Sequence, residues 1–306
     1  MRLVKYFLFS LSLLVAANVF AKSATQWMPI TVERGLVVID VKINGHSAKA
    51  MLDTGAESNA VSKAFLETNS VKFRKGDPLV LTGVYGQEKA NFVNGLEIEL
   101  LGNKLAFDNL IPMSGNPRFD VILGMPFFHS LIVQLDYPNQ KMRLASRDSI
   151  NLKDFANVKL KSNESKSQLV TPVIIDGFKV DLLFDTGNSG GILLHRPFAE
   201  RKGWIEKYKQ TEAKSSGVVS KSVAIDILSL PEMQFGPFTL EDILVSIPEE
   251  GKSKRLRNSK RGLRDRENVN YRGILGYDIL KHFVLTLDAR RGLPVSYTHL
   301  TLPTIA

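Results

Sequence analysis

The sequence predicts an all-β protein, mostly strand with short helices, arranged as two homologous lobes, and three observations predict it. Val, Ile and Leu alternate with polar residues in short runs that stop at Gly, Asn-Gly or Pro, which is the period of half-buried strands. Segments with helical spacing are few and short: "AVSKAFLET" from Ala60, "MPFFHSL" from Met125, "RPFAERKGW" from Arg196 and "YDILKHF" from Tyr277. The third observation is that the chain aligns with itself over most of its length.

At the N-terminus, Arg2 and Lys5 precede an apolar run from Tyr6 to Ala17, and Val19-Phe20-Ala21 supplies small residues for a peptidase. Residues 1–21 therefore read as a secretory signal cleaved after Ala21, which makes the mature chain exported, either periplasmic or secreted. The run is too short for the roughly 20 residues that span a bilayer, and no later segment is long enough, so the mature chain is expected to lack a transmembrane segment. There is no cysteine, and an exported chain without disulfides is held by its core alone. The five histidines, His46, His129, His195, His282 and His299, show no metal-ligand spacing, so neither a metal nor another cofactor is expected. Trp27 and Trp204 lack the interleaved basic residues of a base-stacking surface.

The self-alignment supplies the domain plan. At an offset of 132, Asn44-Gly45 meets Asp176-Gly177, and the Asp of an Asp-Thr-Gly stands nine residues after Asn44 and Asp176 alike. Each copy reads strand, tight turn, strand, then an acidic loop. At an offset of 134, Gly83-Val84, Gly102, Asp108 and Leu110 meet Gly217-Val218, Gly236, Asp242 and Leu244. Finally "VILGMPFFHSLIVQLD", ending at Asp136, matches "GILGYDILKHFVLTLD", ending at Asp288, at an offset of 152. Lobe 1 is thus residues 27–148 and lobe 2 residues 168–294, with 149–167 as a polar linker. The apolar, patternless residues 295–306 read as a non-native tail outside the fold.

Eighteen residues between Asp242 and Gly276 have no counterpart in lobe 1, and they include Lys252 to Arg266, with eight basic residues and one acidic. Of the formal net charge of +9, this stretch supplies +7 and the signal +2, so the rest of the chain is neutral. The insertion, about 249–266, reads first as a solvated loop. Its second reading is a docking patch for a polyanion such as phosphorylated polysaccharide, lipid headgroups or nucleic acid.

Both Asp-Thr-Gly copies follow apolar residues, and each is followed tens of residues later by an aliphatic pair and Gly before a short helix. Lobe 1 has Asp53-Thr54-Gly55-Ala56 and Val121-Ile122-Leu123-Gly124; lobe 2 has Asp185-Thr186-Gly187-Asn188 and Gly273-Ile274-Leu275-Gly276. In these residues each lobe resembles a retropepsin-like aspartic protease, and the resemblance covers nearly all of the mature chain. It implies the bilobal acid-protease fold, with two closed-barrel-like lobes about a pseudo-twofold axis. It also implies catalysis by an Asp53 and Asp185 dyad, in which two neighbouring carboxyls share one proton.

The resemblance assigns further tasks. Thr54 and Thr186 would bond across to the opposite lobe, and Gly55 and Gly187 would free backbone N–H groups for the carboxylates. Ile122, Leu123 and Gly124, with Ile274, Leu275 and Gly276, would pack against the Asp loops and hold them rigid. A peptide or protein substrate would bind as an extended strand, under a flap whose tip is Gly83, Val84, Tyr85 and Gly86. "SGVVSK", from Ser216, is the image of that hairpin in lobe 2, and a chain holding both lobes would act as a monomer. Asn188 departs from the small residue the family carries after the second Gly. That departure, and the tail, leave open a catalytically silent peptide-binding pseudoprotease of the cell envelope. "GNSGG", from Gly187, imitates a serine-protease nucleophile motif but lacks the His and Asp partners in order.

Overall fold

The structure, a computed structural model, describes residues 24–83, 86–114, 118–148, 152, 157–162, 168–215, 223–250, 270–291 and 293–297. The signal, the basic stretch and the hairpin tips Val84-Tyr85 and 216–222 lie outside these residues. Lobe 1 runs β1 (Met28–Pro29), β2 (Thr31–Glu33), β3 (Leu36–Ile43), β4 (His46–Leu52), β5 (Ala60–Ser62), α1 (Lys63–Thr68), β6 (Arg74–Gly83) and β7 (Gly86–Asn94). It continues through β8 (Leu96–Leu100), β9 (Asn103–Phe107), β10 (Ile111–Met113), β11 (Val121–Leu123), α2 (Met125–Ser130), β12 (Ile132–Asp136) and β13 (Lys141–Ala145). Lobe 2 runs β14 (Lys161–Ser162), β15 (Leu169–Ile175), β16 (Phe178–Phe184), β17 (Ile192–Leu194), α3 (Arg196–Arg201), α4 (Trp204–Tyr208), β18 (Lys209–Ser215) and β19 (Val223–Phe235). It ends with β20 (Phe238–Pro248), β21 (Gly273–Leu275), α5 (Tyr277–Leu280), β22 (Val284–Asp288) and β23 (Leu293–Tyr297).

The predicted turns explain the hairpins. Asn44 and Gly45 have φ of 47° and 86°, and Asp176 and Gly177 have 47° and 77°, the left-handed pair that matches strand twist between β3 and β4 and between β15 and β16. Each turn is then fastened by its first side chain. Asn44 Oδ1 accepts the Glu97 N–H at 2.7 Å, whereas Asp176 accepts Trp204 Nε1–H at 3.0 Å and Tyr208 O–H at 3.1 Å.

In lobe 2 the order β15-β16-β21-β17-β20-β19 returns to β15 through Ile174↔Gln234 and Ile175↔Met233, closing a six-stranded barrel. Lobe 1 is a curled half-barrel in the order β10-β5-β11-β4-β3-β8-β9. The difference has a local cause. Where lobe 2 has the unbroken β19 and β20, lobe 1 is interrupted at Gly95 (φ 75°) and Asn109 (φ 57°). Asp108 Oδ1 bridges the break by accepting the Gly95 N–H at 2.7 Å.

A third sheet, β1-β13-β12-β22-β23, joins the lobes. Its central register pairs Gln134 with Thr286, the two residues related by the repeat offset of 152, so the pseudo-twofold axis passes between them. Gln134 Nε2 donates to Thr286 Oγ1 at 2.8 Å, satisfying both where they are buried. One apolar core runs through both lobes, with Phe127, Phe128, Phe184, Trp204, Phe235 and Phe283 its largest enclosed side chains.

Four expectations need correction. "AVS" at the head of the first helical segment is β5, with all three residues buried, and the helix begins only after Ser62, whose Oγ caps the Phe65 N–H at 3.2 Å. "RPFAERKGW" is not one helix, because Gly203 (φ 66°) separates α3 from α4. The linker is in part lobe 2: Val158 lies in the core, and Lys161 pairs with Val170 as Thr31 pairs with Val38. Its polar character is that of an edge strand rather than of a spacer. Residues 295–297, set apart as tail, complete β23, which pairs with β22 in the place that β13 takes beside β12.

Candidate active site

The two Asp loops are suspended in the same way. β4 runs parallel to β11, with Ile122 beside Met51 and Leu123 beside Leu52, and the chain then carries the Asp53 N–H onto Leu123 O at 3.0 Å. In lobe 2, Ile274 and Leu275 flank Leu183 and Phe184, and the Asp185 N–H reaches Leu275 O at 3.1 Å. Leu123 and Leu275 are buried in the main core, while Ile122 and Ile274 face the opposite side of each sheet. The glycines that follow lie against the loops. A Cβ on Gly124 would come within 2.5 Å of Ser58 O, and one on Gly276 within 2.4 Å of Asn188 Nδ2. Gly124 N–H is fixed by Asn59 Oδ1 at 2.8 Å and Met125 N–H by Ala56 O at 2.9 Å, so helix α2 is stitched directly to the Asp loop.

Thr54 and Thr186, both buried, cross between the lobes. Thr54 N–H donates to Thr186 Oγ1 at 3.0 Å, and Thr186 N–H donates to Thr54 Oγ1 at 3.1 Å. The hydroxyls then donate onward, Thr54 to Phe184 O at 2.8 Å and Thr186 to Leu52 O at 2.9 Å. Every donor and acceptor in the cross is thereby paired, and the carbonyls engaged belong to the residues directly preceding the two aspartates.

This cross brings Asp53 and Asp185 together. Each carboxylate lies over the glycine of the other lobe: a Cβ on Gly55 would fall 2.5 Å from Asp185 Cγ, and one on Gly187 would fall 2.4 Å from Asp53 Cγ. The two carboxyl groups are within hydrogen-bonding reach of each other. Burial raises the pKa of both, and the charge of Asp53 pushes Asp185 up further, to about 8. Loop amides favour the anion of each. Asp53 Oδ1 accepts N–H groups from Gly55 at 2.8 Å and Ala56 at 3.0 Å, while Asp185 Oδ1 accepts that of Gly187 at 2.8 Å. The counterpart of the Ala56 amide, Asn188 N–H, bonds Asp185 O at 3.3 Å. The Gly55 amide favours the anion of Asp185 as well, so it is the charge of Asp53 that makes Asp185 the protonated member of the pair. The Asn188 side chain turns back on its own loop, to Gly191 O at 3.1 Å and Gly190 N–H at 3.2 Å, and leaves the carboxyls clear.

Sequence reasoning missed two tyrosines. Tyr137 is buried with its ring centroid 6.0 Å from Tyr277, and Tyr271 is buried with Val170, Leu183 and Ile274. Burial first, followed by Tyr277 and then Asp185 for Tyr137 and by Glu57 and then Asp185 for Tyr271, keeps both hydroxyls protonated beyond the usual tyrosine range. Tyr271 had a signal in the repeat: at the offset of 152 it matches Phe119, which packs with Val38 and Met51 in lobe 1. Tyr137 had none, since its repeat partner is Ala289. Of the flap residues, Gly83 and Gly86 pair at the end of the β6–β7 hairpin, and Val84 and Tyr85 lie outside the described residues. Among the described residues no group of three His, Asp or Glu side chains is arranged to hold a metal ion.

Residues 39–127 match the family model for aspartyl proteases. The aspartic proteinase from Irpex lacteus shares the fold, with a TM-score of 0.54 and 12% identity over 92% of this chain and 99% of that one. No curated protein matches the chain. Within lobe 1, residues 39–127 are thus similar to aspartyl proteases, and the chain shares the fold of the Irpex lacteus aspartic proteinase.

Proposed function

We propose that the protein is an exported, single-chain aspartic endopeptidase that works as a monomer without a cofactor. The observation that carries this reading is the pair of opposed carboxyls, Asp53 over Gly187 and Asp185 over Gly55, locked by the reciprocal threonine bonds. With one proton between them, Asp53 takes a proton from a water that attacks the peptide carbonyl, and Asp185 donates its proton to the carbonyl oxygen. The tetrahedral intermediate then collapses as the proton acquired by Asp53 passes to the departing nitrogen and Asp185 takes back a proton from the intermediate's hydroxyl, which restores the singly protonated pair. Substrate lies as an extended strand in the cleft, closed over by the β6–β7 hairpin.

Among the described residues no helix is long and apolar enough to cross a membrane. The Lys252 to Arg266 stretch would meet a polyanion in the cell envelope.

The test is hydrolysis of an unfolded protein by the chain from Lys22, from about pH 3 to about pH 8, beside Asp53→Asn and Asp185→Asn. A pepstatin-sensitive activity that falls by at least about 100-fold in each variant is expected, the scale of a lost general acid or base. A folded wild-type chain that cleaves nothing across that range would instead favour the silent peptide binder, and full activity in either variant would exclude a shared dyad.

A further inference from the structure

We propose that Glu57 is a specificity-determining residue that selects a basic side chain on one side of the scissile bond, an inference that rests on the peptidase reading above. The lobes are related by the repeat, so position by position the two ends of the cleft can be compared. Glu57 stands four residues after Asp53, and its counterpart four residues after Asp185 is Ser189. Both are exposed. Glu57 Oε1 accepts Gln168 Nε2–H at 3.0 Å across the lobes, which fixes where the carboxylate sits. At the mirrored place the residue matching Gln168 is Leu36, and the Ser189 backbone is covered by the Gly35 turn, where a Cβ would come within 2.4 Å of Ser189 O. The lobe 1 loop therefore holds an oriented carboxylate at the position where the lobe 2 loop has a serine.

The chemistry of the partner matters. An arginine or lysine at residue 168 would neutralise Glu57, but the glutamine amide orients it and leaves its charge intact. Among the described residues no cation lies within ion-pair distance of Glu57. That charge acts within the site, since after burial it is the next influence opposing ionisation of Tyr271, ahead of Asp185. Standing four residues beyond Asp53 on the lobe 1 loop, Glu57 lies to one side of the bond cut and would meet a single substrate side chain on that side. The ligand it fits is a peptide with Lys or Arg there.

An exposed ion pair is weak, so a preference of about threefold to fivefold is expected, falling as salt is added. A peptide series carries a single Lys or the neutral Gln at each position in turn on both sides of one cleavable bond. Binding is read by fluorescence anisotropy on the Asp185→Asn chain, and kcat/KM on the wild type. Lys should be favoured over Gln at one position on one side only. Glu57→Gln in the same backgrounds should bring that ratio to about one, and Ser189→Glu should create a second preference at the mirrored position.

A ratio of one in the wild-type sequence, or a Lys preference that survives Glu57→Gln, would overturn the proposal. Equal losses for the Lys and Gln peptides in Glu57→Gln would do so too, because they would make Glu57 a contact between lobes and nothing more. Binding with the preference but without cleavage would uphold it and reject the peptidase reading, which keeps the two failures apart.

Discussion

Removing one hydroxyl from the threonine cross strands two buried backbone groups. Thr54→Val leaves Thr186 N–H and Phe184 O without the partners they have at 3.1 and 2.8 Å. At about 1 to 3 kcal/mol for each buried group left unpaired, a loss of about 2 kcal/mol or more is expected in urea unfolding, with Thr54→Ser near wild type. A Thr54→Val chain as stable as the wild type would show that the cross is not what joins the loops. The aspartates give stability the opposite sign of pH dependence from an ordinary carboxylate. Asp185 has a folded pKa of about 8 against the ordinary 3.8, so the native state holds a proton the unfolded chain has released, and stability is lost as pH rises between those values. Thermal unfolding at intervals from about pH 4 to about pH 8 should fall for wild type and be flatter for Asp185→Asn. Parallel slopes would remove Asp185 as the source. The same proton predicts activity that persists toward neutrality and fades as pH passes the Asp185 value. The pairing of Asp53 with Asp185 was legible in the sequence because both copies sit at one repeat offset, whereas Tyr137 occurs once, on no period, and meets Tyr277 only through the packing of the two lobes.

At the scale of elements, the junction of β11 and α2 is the support on which the lobe 1 aspartate rests. Gly124 has φ of −91°, which any residue can adopt, so its requirement is for space and not for backbone freedom. A Cβ there would meet two carbonyl oxygens of the Asp loop, Ser58 O at 2.5 Å and Ala56 O at 2.7 Å, and backbone cannot swing aside as a side-chain tip can. Gly124→Ala should therefore shift the Asp53 loop and lower kcat by about 100-fold or more, as misplacements of about 1 Å do, while the chain remains folded by circular dichroism. A Gly124→Ala chain with unchanged kcat would show that the loop tolerates displacement. Elements with a strong period or a turn pair, such as β3 to β4 around Asn44-Gly45, were readable in advance. β14 was not, because two polar residues on a sheet edge carry the composition of a linker, and β5 was not, because three buried residues are too few to show a period.

At the scale of the molecule, the lobes are not beads on a string. β12 and β22 are neighbours in one sheet, the threonines exchange bonds, Arg147 of lobe 1 donates to the buried Asp288 of lobe 2 at 3.0 Å, and a single core includes residues of both. The two lobes thus fold as a unit whose halves recognise each other, which the sequence announced through its repeat without showing where the two copies touch. The consequence concerns the chain between them. A protease site placed between Ser162 and Gln168 and then cut should leave the two fragments co-eluting in size exclusion and the activity retained. Unfolding, once unimolecular, should become concentration-dependent, with Tm rising as protein concentration rises, because the ends of each lobe no longer share one chain. Had the covalent link been the main thing holding the lobes in register, the cut fragments would separate under native conditions and the activity would vanish with them. Since each fragment carries only one of the two carboxyls, separation and inactivation would have to occur together, and fragments that part while activity persists would exclude a dyad drawn from both lobes.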